Sequence, residues 1–262
     1  MNELEHEMVD LLTELRDRFG VYEIKAEFEA EGSRMEEMMR LKEVIGKAGL
    51  PLILKIGGVE AVTDVYNALS LGVKGIIAPM AETPYSVSKF LNLIDHYIAP
   101  DNAKDIEFAI NLETITAYHN LDAILSCPGF DRLAGITVGR VDMVGSMGLS
   151  RAAINTSEEL FGICRDIFSK ARARGLKTAL GGGIEKEALP IIERLNAEGL
   201  LDKYETRKIV FRAESAKLGE IAILKAVKFE LQWLKSKRRY YSGIRSEDEK
   251  RIAMLERRVA GL

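Results

Sequence analysis

Hydrophobic positions recur along the chain with two alternating periods. Residues 2–19 place leucines and a methionine at helical intervals, which predicts an amphipathic helix that ends at Gly20. Residues 22–28 then alternate between apolar and charged side chains, and a period of two predicts a strand. The order of strand, turn and helix repeats about every 30 residues, which is typical of parallel βα units.

Seven such units are visible, and they predict a parallel sheet covered by helices. The first helix covers residues 1–20. Further strands are predicted at residues 52–56, 74–78, 108–112, 133–138, 177–180 and 208–211. Further helices are predicted at residues 35–48, 60–71, 85–97, 115–125, 157–174 and 187–197. A C-terminal helical extension, residues 215–262, is predicted to hold two helices, at 215–237 and 246–259.

We favour a TIM (β/α)8 barrel over a doubly wound open sheet. No G-x-G-x-x-G follows the first strand, and charged residues alternate within several strands, whereas strands covered on both faces are usually continuously apolar. A barrel can direct these charges toward a shared mouth at the carboxyl ends of its strands. The charges concerned are Lys25, Glu27, Lys55, Glu113, Arg140, Asp142 and Arg212. The eighth strand has no visible signal. Nothing resembles a linker, so we expect one domain, residues 1–262.

Composition narrows the classes of partner. The net charge of -3 predicts no general attraction to nucleic acid or to anionic membranes. Two cysteines are too few for a disulfide framework, and no apolar run approaches the length of about 20 residues that a membrane span needs. We therefore expect a cytoplasmic protein whose partners include neither nucleic acid nor membrane.

Two carboxylates stand where neighbouring strands end. Glu113 follows the strand at 108–112, and Asp142 comes shortly after the strand at 133–138. A crossover between parallel strands places both at the same edge of the sheet. Two carboxylates that leave positions free for water and substrate suit Mg²⁺. On spacing alone, a helix cap or an ion-pair partner explains each of them equally well.

Two longer segments carry a family resemblance. Residues 111–149, beginning NLET and including GRVDMVGSMGL, resemble the signature of the HpcH/HpaI aldolase and citrate lyase beta-subunit family. Residues 72–83, GVKGIIAPMAET, are similar to another loop of that family. The resemblance implies a phosphoenolpyruvate/pyruvate-type barrel in which Glu113 and Asp142 bind a divalent metal, Mg²⁺ or alternatively Mn²⁺ or Co²⁺.

The resemblance implies the chemistry of a class II, metal-dependent carbon–carbon lyase or aldolase. The metal of such a site chelates a pyruvate-like 2-oxo acid and stabilises the enolate as a Lewis acid. Backbone N–H groups at the turn formed by Pro79, Met80 and Ala81, and at the N-terminus of the helix that follows, are candidates to hold the substrate carboxylate.

The chain also departs from the family pattern. In the aldolase branch of the family, the pattern after an early strand is similar to Asp-x-Glu-His. In this chain the corresponding residues 28–34 read FEAEGSR and include no histidine. Glu27, Glu29, a metal-bound water or the substrate must then supply any base, and we select Glu29 as the candidate. Lys55 stands where the family has a substrate-binding arginine. It is a candidate charge stabiliser, with Schiff-base formation as the alternative.

Further candidates bind the anionic parts of a substrate. Arg140 is a candidate catalytic residue, and Arg212 a candidate carboxylate or phosphate anchor, although each could equally be a charge partner inside the mouth. Gly182, in the triple glycine after residues 177–180, is a candidate for close approach to a ligand. A tight turn accounts for the glycines equally well.

Two alternatives to the aldolase function remain open. One is an acyl-coenzyme A lyase of the citrate lyase beta type, although no dedicated basic loop supports coenzyme A binding. The other is a non-catalytic barrel that binds a metal or ligand. A homo-oligomer is also expected, because the long C-terminal helix carries Leu224, Val227, Leu231 and Leu234, which could instead pack on their own barrel.

Overall fold

The computed structural model describes residues 1–260, in which eight strands close into a barrel in the order of the sequence. The predicted TIM-type architecture is confirmed, with helices between the strands and a helix before the first one. The strands are β1 (Val21–Glu27), β2 (Leu52–Lys55), β3 (Gly75–Ala78), β4 (Glu107–Leu112), β5 (Gly135–Gly139), β6 (Lys177–Gly181), β7 (Lys203–Glu205) and β8 (Ile209–Arg212).

The helices surround this barrel, and most of them begin and end close to the predicted residues. The sequence pattern does not predict the short helices at 100–103 and 140–146, and the helix predicted at 115–125 is divided in two at Asn120. Short 3-10 helices occupy residues 130–132, 151–155, 186–188 and 213–218. The α-helices are α1 (Glu3–Phe19), α2 (Met35–Lys47), α3 (Val62–Leu71), α4 (Pro84–Tyr97), α5 (Pro100–Ala103), α6 (Ile115–His119), α7 (Leu121–Leu125), α8 (Arg140–Ser146), α9 (Glu158–Arg172), α10 (Leu189–Ala197) and α11 (Glu220–Val259).

The first helix shows how local sequence sets these bounds. The Asn2 side chain accepts a hydrogen bond from the Glu5 N–H, and the Glu5 side chain accepts one from the Asn2 N–H, so a capping box begins α1. Gly20 adopts a left-handed conformation at the other end, which glycine tolerates without strain. Buried apolar residues of α1, including Met8 and Leu12, face the core, and the helix packs against α11.

The barrel closes through a hairpin that the sequence pattern does not reveal. Strands β1 to β7 run parallel to their sequence neighbours, but β8 is antiparallel to both β7 and β1. The missing eighth strand is the three-residue β7, placed before the strand predicted at 208–211. Thr206 holds the turn between them, because its N–H donates to the Ile209 carbonyl and its Oγ1 accepts from the Ile209 N–H.

The C-terminal extension differs from the two predicted helices. Residues 220–259 form one helix of 40 residues, and residues 213–218 form a separate 3-10 turn. The predicted break at residues 238–245 does not occur, because this stretch contains no proline and a single glycine inside a helix costs only about 1 kcal/mol. The side chains of Lys237 and Tyr241 also contact Glu37 of α2. Residues 261 and 262 of the predicted extension lie outside the described residues.

The barrel interior is layered. Ile53, Ile77 and Val210 form a small apolar cluster of their own, separate from the main core between strands and helices. Lys55 lies two residues beyond Ile53 on the same strand face, so charged side chains follow this apolar layer toward the carboxyl ends of the strands. Among residues 1–260, no helix combines the length and apolar composition needed to cross a bilayer.

Candidate active site

A cavity of about 440 Å³ opens at the carboxyl ends of the parallel strands. That volume suits a small organic substrate. A second cavity, of about 30 Å³ near Glu107 and Lys177 at the opposite end of the barrel, has room for little more than water. The charged residues that line the large cavity are Lys25, Glu27, Glu29, Lys55, Glu113, Asp142, Arg151, Glu185, Glu205, Arg207 and Glu230.

Glu113 and Asp142 come together at the edge formed by β4 and β5. Glu113 directly follows β4 and is only 2% exposed, whereas Asp142 lies exposed in the first turn of α8, just after β5. Both side chains line the cavity, as the parallel order of the two strands predicts. Glu113 Oε1 accepts a hydrogen bond from the Met80 N–H at 3.2 Å, and Oε2 accepts one from Asn111 Nδ2 at 3.1 Å.

The surroundings of Glu113 suit a cationic partner. Burial raises the pKa of Glu113 above its ordinary value, against the lowering effects of the Lys55 charge and of two hydrogen bonds. The Oδ1 atom of Asn111, also on this edge, is buried and has no hydrogen-bond partner among the described residues. Residues 1–260 contain no cluster of three or more histidine, cysteine or acidic side chains arranged for a metal. The oxygen donors on this edge, the carboxylates of Glu113 and Asp142 and the unpartnered Asn111 Oδ1, are of the type that Mg²⁺ prefers.

Lys55 connects this edge to the predicted base. Its Nζ lies 2.7 Å from Glu29 Oε2 and 3.5 Å from Glu113 Oε1. Burial alone would lower the pKa of Lys55, but the charge of Glu113 and the hydrogen bond to Glu29 outweigh it and raise that pKa. A lysine held protonated is a poor nucleophile, so the geometry disfavours the Schiff-base alternative and favours a role in charge stabilisation.

The opposite side of the mouth holds a network of ion pairs, of which the sequence predicts only some members. Lys25 Nζ lies 2.6 Å from Glu205 Oε1 and 3.2 Å from Glu27 Oε1, and Arg207 Nη1 lies 3.2 Å from Glu27 Oε2. Burial would lower the pKa of Lys25, but the two carboxylates raise it well above its ordinary value. Sequence reasoning placed Lys25 and Glu27 at the mouth but missed Glu205 and Arg207, because β7 is too short to show a period.

Two predicted anion-binding arginines do not reach the cavity. Arg212 is wrong as a mouth residue: β8 runs in reverse, so Arg212 ends at the other rim, with its guanidinium 4.6 Å from the Tyr22 ring centroid. Arg140 is fully buried behind the cavity wall, which excludes direct contact between its guanidinium and a substrate in the cavity. Its donors instead bind backbone carbonyls of the loop after β6.

The turn at residues 79–81 positions a side chain rather than offering free donors. The Met80 N–H donates to Glu113, and the Ala81 N–H donates to the Asn111 carbonyl at 3.1 Å. Met80 has a φ of 50°, which is uncommon for a residue with a side chain. The predicted role of Pro79, Met80 and Ala81 in holding a substrate carboxylate is corrected accordingly: the turn holds Glu113.

Gly182, by contrast, lies where predicted, in the cavity wall. Its φ is 77°, and a Cβ atom at this position would come within 2.7 Å of the backbone nitrogens of Arg140 and Val141. The residue therefore has to be glycine on two grounds, its backbone conformation and its close packing against the β5–α8 junction.

Comparison with solved structures defines the class of the fold. A citrate synthase, SbnG, matches with a TM-score of 0.61 and 15% sequence identity over 88% of this chain and 89% of that one. An HpcH/HpaI aldolase/citrate lyase family protein from Burkholderia cenocepacia J2315 matches with a TM-score of 0.58 and 16% identity, over 86% and 99%. At such identities the likeness establishes a shared barrel fold. A search of curated protein sequences finds no match.

The family follows from the sequence itself. The family model for HpcH/HpaI aldolase/citrate lyase matches residues 26–182, which run from β1 to the loop after β6 and include Glu113 and Asp142. The chain belongs to the HpcH/HpaI aldolase/citrate lyase family, as the motifs predicted. Family membership points to an enzyme of the lyase or aldolase type.

Proposed function

We propose that this protein is a divalent-metal-dependent carbon–carbon lyase or aldolase that stabilises the enolate of a pyruvate-like 2-oxo acid. The observation that carries the proposal is the pairing of Glu113 and Asp142 on one edge of a cavity of substrate size, with Lys55 beside them. Family membership supports the lyase or aldolase class, and the donor set supports the metal.

The side chains divide the work as follows. Glu113 and Asp142 would hold Mg²⁺, Mn²⁺ or Co²⁺, which as a Lewis acid supplies stabilisation of negative charge on the substrate oxygens. Lys55 adds a fixed positive charge where the enolate charge develops, which lowers the barrier because that charge is greater in the transition state. The Met80 N–H and the Asn111 amide fix the carboxylate orientation of Glu113.

We assign proton transfer to Glu29. Its carboxylate lines the cavity and lies 2.7 Å from Lys55 Nζ, and its side chain is 26% exposed, so it can exchange a proton with water. It is the half-buried carboxylate nearest to Lys55 on the stretch where the aldolase branch has its histidine. Glu27 is the less suitable base, because the adjacent Lys25, Lys55 and Arg207 hold its pKa below the ordinary value, against the raising effect of burial.

Hydrogen–deuterium exchange at C3 of pyruvate or 2-oxobutyrate tests this function without knowledge of the second substrate. With Mg²⁺ present, NMR should show exchange by the wild type, and the Glu113→Gln, Asp142→Asn double variant should lose at least about 100-fold in rate. Asp131→Asn, which changes an exposed acid in the same β4–β5 connection, should behave as wild type. Equal Mg²⁺ affinity in the wild type and the double variant would refute the metal site.

Absence of exchange with metal bound would instead favour the other candidates, an acyl-coenzyme A lyase or a non-catalytic ligand-binding barrel. One observation favours the binding role: the family's acid/base histidine is absent from residues 28–34. Comparison of exchange into acetyl-coenzyme A with exchange into free 2-oxo acids separates these two candidates.

We also propose that α11 packs against a second copy of this chain. Leu224, Val227, Leu231 and Leu234 are 48–56% exposed, so they do not pack fully on their own barrel. Ile252, Leu255 and Val259 continue the same seven-residue register and are also exposed. Analytical ultracentrifugation should show a homo-oligomer that Leu231→Glu weakens, and a monomeric wild type would rule this out.

A further inference from the structure

Arg140 carries a buried positive charge that lacks a carboxylate partner among residues 1–260. Its side chain is fully buried, and all of its hydrogen bonds go to neutral acceptors. A buried charge is costly unless something compensates it, and aligned backbone dipoles do so only in part. The acceptors are the carbonyl oxygens of Gly181 at 3.3 Å, Gly182 at 2.7 Å, Gly183 at 3.2 Å and Ile154 at 3.2 Å, and Asn155 Oδ1 at 2.9 Å.

These contacts orient the loop after β6. In a trans peptide the carbonyl and the following N–H point in opposite directions, and the described residues contain no cis peptide. Three successive carbonyls directed at Arg140 therefore direct the N–H groups of Gly182, Gly183 and Ile184 away from it. All three residues line the cavity, whereas Arg140 does not.

The three N–H groups are available to a ligand. None of them donates a hydrogen bond to an acceptor within residues 1–260. Successive N–H groups on one side of a loop, with glycines in left-handed conformations, form a concavity that suits an anion. Each of these peptide dipoles has its positive end toward the cavity. The positive charge of the Arg140 guanidinium, behind the loop, adds to this potential and makes the cavity face of the loop more positive still.

A second arginine lines the same cavity as these N–H groups, on the solvent side. Arg151 begins the 3-10 helix at residues 151–155, whose Ile154 carbonyl and Asn155 side chain also bind Arg140. The Arg151 side chain is exposed, lines the cavity and forms no ion pair with any of residues 1–260. Arg140 thus ties together the glycine loop and the segment that supplies Arg151.

We propose that the N–H groups of Gly182, Gly183 and Ile184, together with Arg151, form a binding site for an oxyanion, a carboxylate or a phosphate. Arg140 is its positioning residue, which acts through the loop. Gly182 packs against the β5–α8 junction that carries Asp142, so the bound group is a second anionic group on the compound held at Glu113 and Asp142. That assignment of the ligand rests on the proposed function, whereas the anion site itself does not.

Titration of the metal-free protein with inorganic phosphate, and in parallel with malonate, tests the site directly by ¹⁵N–¹H NMR. The amide signals of Gly182, Gly183 and Ile184 should shift together, and the anion that binds more tightly identifies phosphate or carboxylate as the preferred group. Arg151→Gln should weaken binding about tenfold, the loss of one charge-assisted contact. Amides that do not shift, or an Arg151→Gln variant with wild-type affinity, would overturn the site.

Three further variants keep the test specific. Arg207→Gln removes an arginine from the opposite side of the same cavity and should leave phosphate affinity unchanged, and an equal loss would mean only a general effect of charge. Gly183→Ala adds a side chain at a φ of 62°, with Ile154 methyls 3.4 Å from the new Cβ, and should weaken binding by distorting the loop. Arg140→Lys keeps the charge but loses the fork of donors, so phosphate affinity should fall. Wild-type phosphate affinity in that variant would argue against the positioning role.

A kinetic comparison then tests the ligand assignment. In the exchange assay, Arg151→Gln should raise KM about tenfold for 2-oxoglutarate, which carries a second carboxylate, and leave KM for 2-oxobutyrate unchanged. Equal effects on both compounds would refute the assignment. Absence of exchange in the wild type, with phosphate binding intact, would count against the proposed lyase function and not against the anion site.

Discussion

The two sides of the barrel mouth handle charge differently. On the β4–β5 side, Glu113 has Lys55 only at 3.5 Å, and Asp142 forms no ion pair within residues 1–260. On the β7–β8 side and on adjoining β1, ion pairs join Lys25 to Glu27 and Glu205, Arg207 to Glu27, and Lys208 to Glu31. The β4–β5 side, here called the ligand side, has negative charge that a bound cation can compensate. On the β7–β8 side with β1, here called the closing side, most charges are already paired.

The difference separates the side that can bind a ligand from the side that closes the barrel. A three-residue β7 and a reversed β8 give few ladder hydrogen bonds, so the charged network across β1, β7 and β8 replaces part of what a longer parallel strand would supply. Glu113, held by a backbone N–H and an amide, and Asp142, which forms no ion pair within residues 1–260, in contrast contribute little to closure and are free to bind a cation. Substitutions on the two sides should therefore affect different measurable quantities.

The largest expected effect is a loss of stability caused by Lys25→Met on the closing side. The substitution leaves Glu205 buried without its cation, and breaking a buried pair typically costs about 3–5 kcal/mol. Urea unfolding should show this loss in the free energy of unfolding, while Mg²⁺ affinity of the folded fraction stays near the wild-type value. Addition of Glu205→Gln should recover part of the loss, and a second substitution that makes the loss larger would contradict the account.

The next effect is on metal binding, from Gly139→Ala on the ligand side. Gly139 has φ of -90° and ψ of 97°, which alanine adopts without strain, but its new Cβ would collide with the Glu113 carboxylate and lie 3.0 Å from the Glu113 Cβ. We expect Mg²⁺ affinity to fall about 10- to 100-fold, the usual cost of misplacing a ligand. Isothermal titration calorimetry measures it.

Gly145→Ala is the matched control for this variant. Gly145 lies in α8, three residues beyond Asp142, and a Cβ there meets nothing within 4 Å. Its Mg²⁺ affinity should equal that of the wild type. If Gly139→Ala also binds Mg²⁺ normally, the carboxylate of Glu113 is not the ligand that the two-carboxylate site requires.

The sequence predicts the ligand side better than the closing side, for physical reasons. The strand at 135–139 is buried throughout, and so are all residues of the strand at 107–112 except 107 and 109. Their apolar runs are therefore long, and the carboxylates after them are easily placed. β7 has three residues, and neither its length nor its composition distinguishes it from a loop. The predicted strand at 208–211 exists, but its direction depends on the turn at Thr206, which carries no glycine or asparagine to mark a hairpin.

Arg140 illustrates a second limit of the sequence. Its position after β5 correctly places it at the carboxyl edge, yet the spacing of residues does not tell whether a side chain there points into the cavity or behind it. That choice depends on the glycine loop from β6, which is 41–43 residues away along the chain and supplies the carbonyls that bind the guanidinium. Only tertiary contacts decide between the two orientations.

The smallest expected effect comes from Arg212→Ala, which tests the reversed direction of β8. Because Arg212 lies at the rim opposite the mouth and stacks over Tyr22, its removal should cost about 0.5–1 kcal/mol of stability, the value of an exposed cation–π contact. Exchange of 2-oxo acid protons, phosphate binding and Mg²⁺ affinity should all match the wild type. A parallel β8 would place this arginine in the cavity, so a tenfold rise in KM with unchanged stability would contradict the hairpin and restore the substrate-binding role that the sequence suggested.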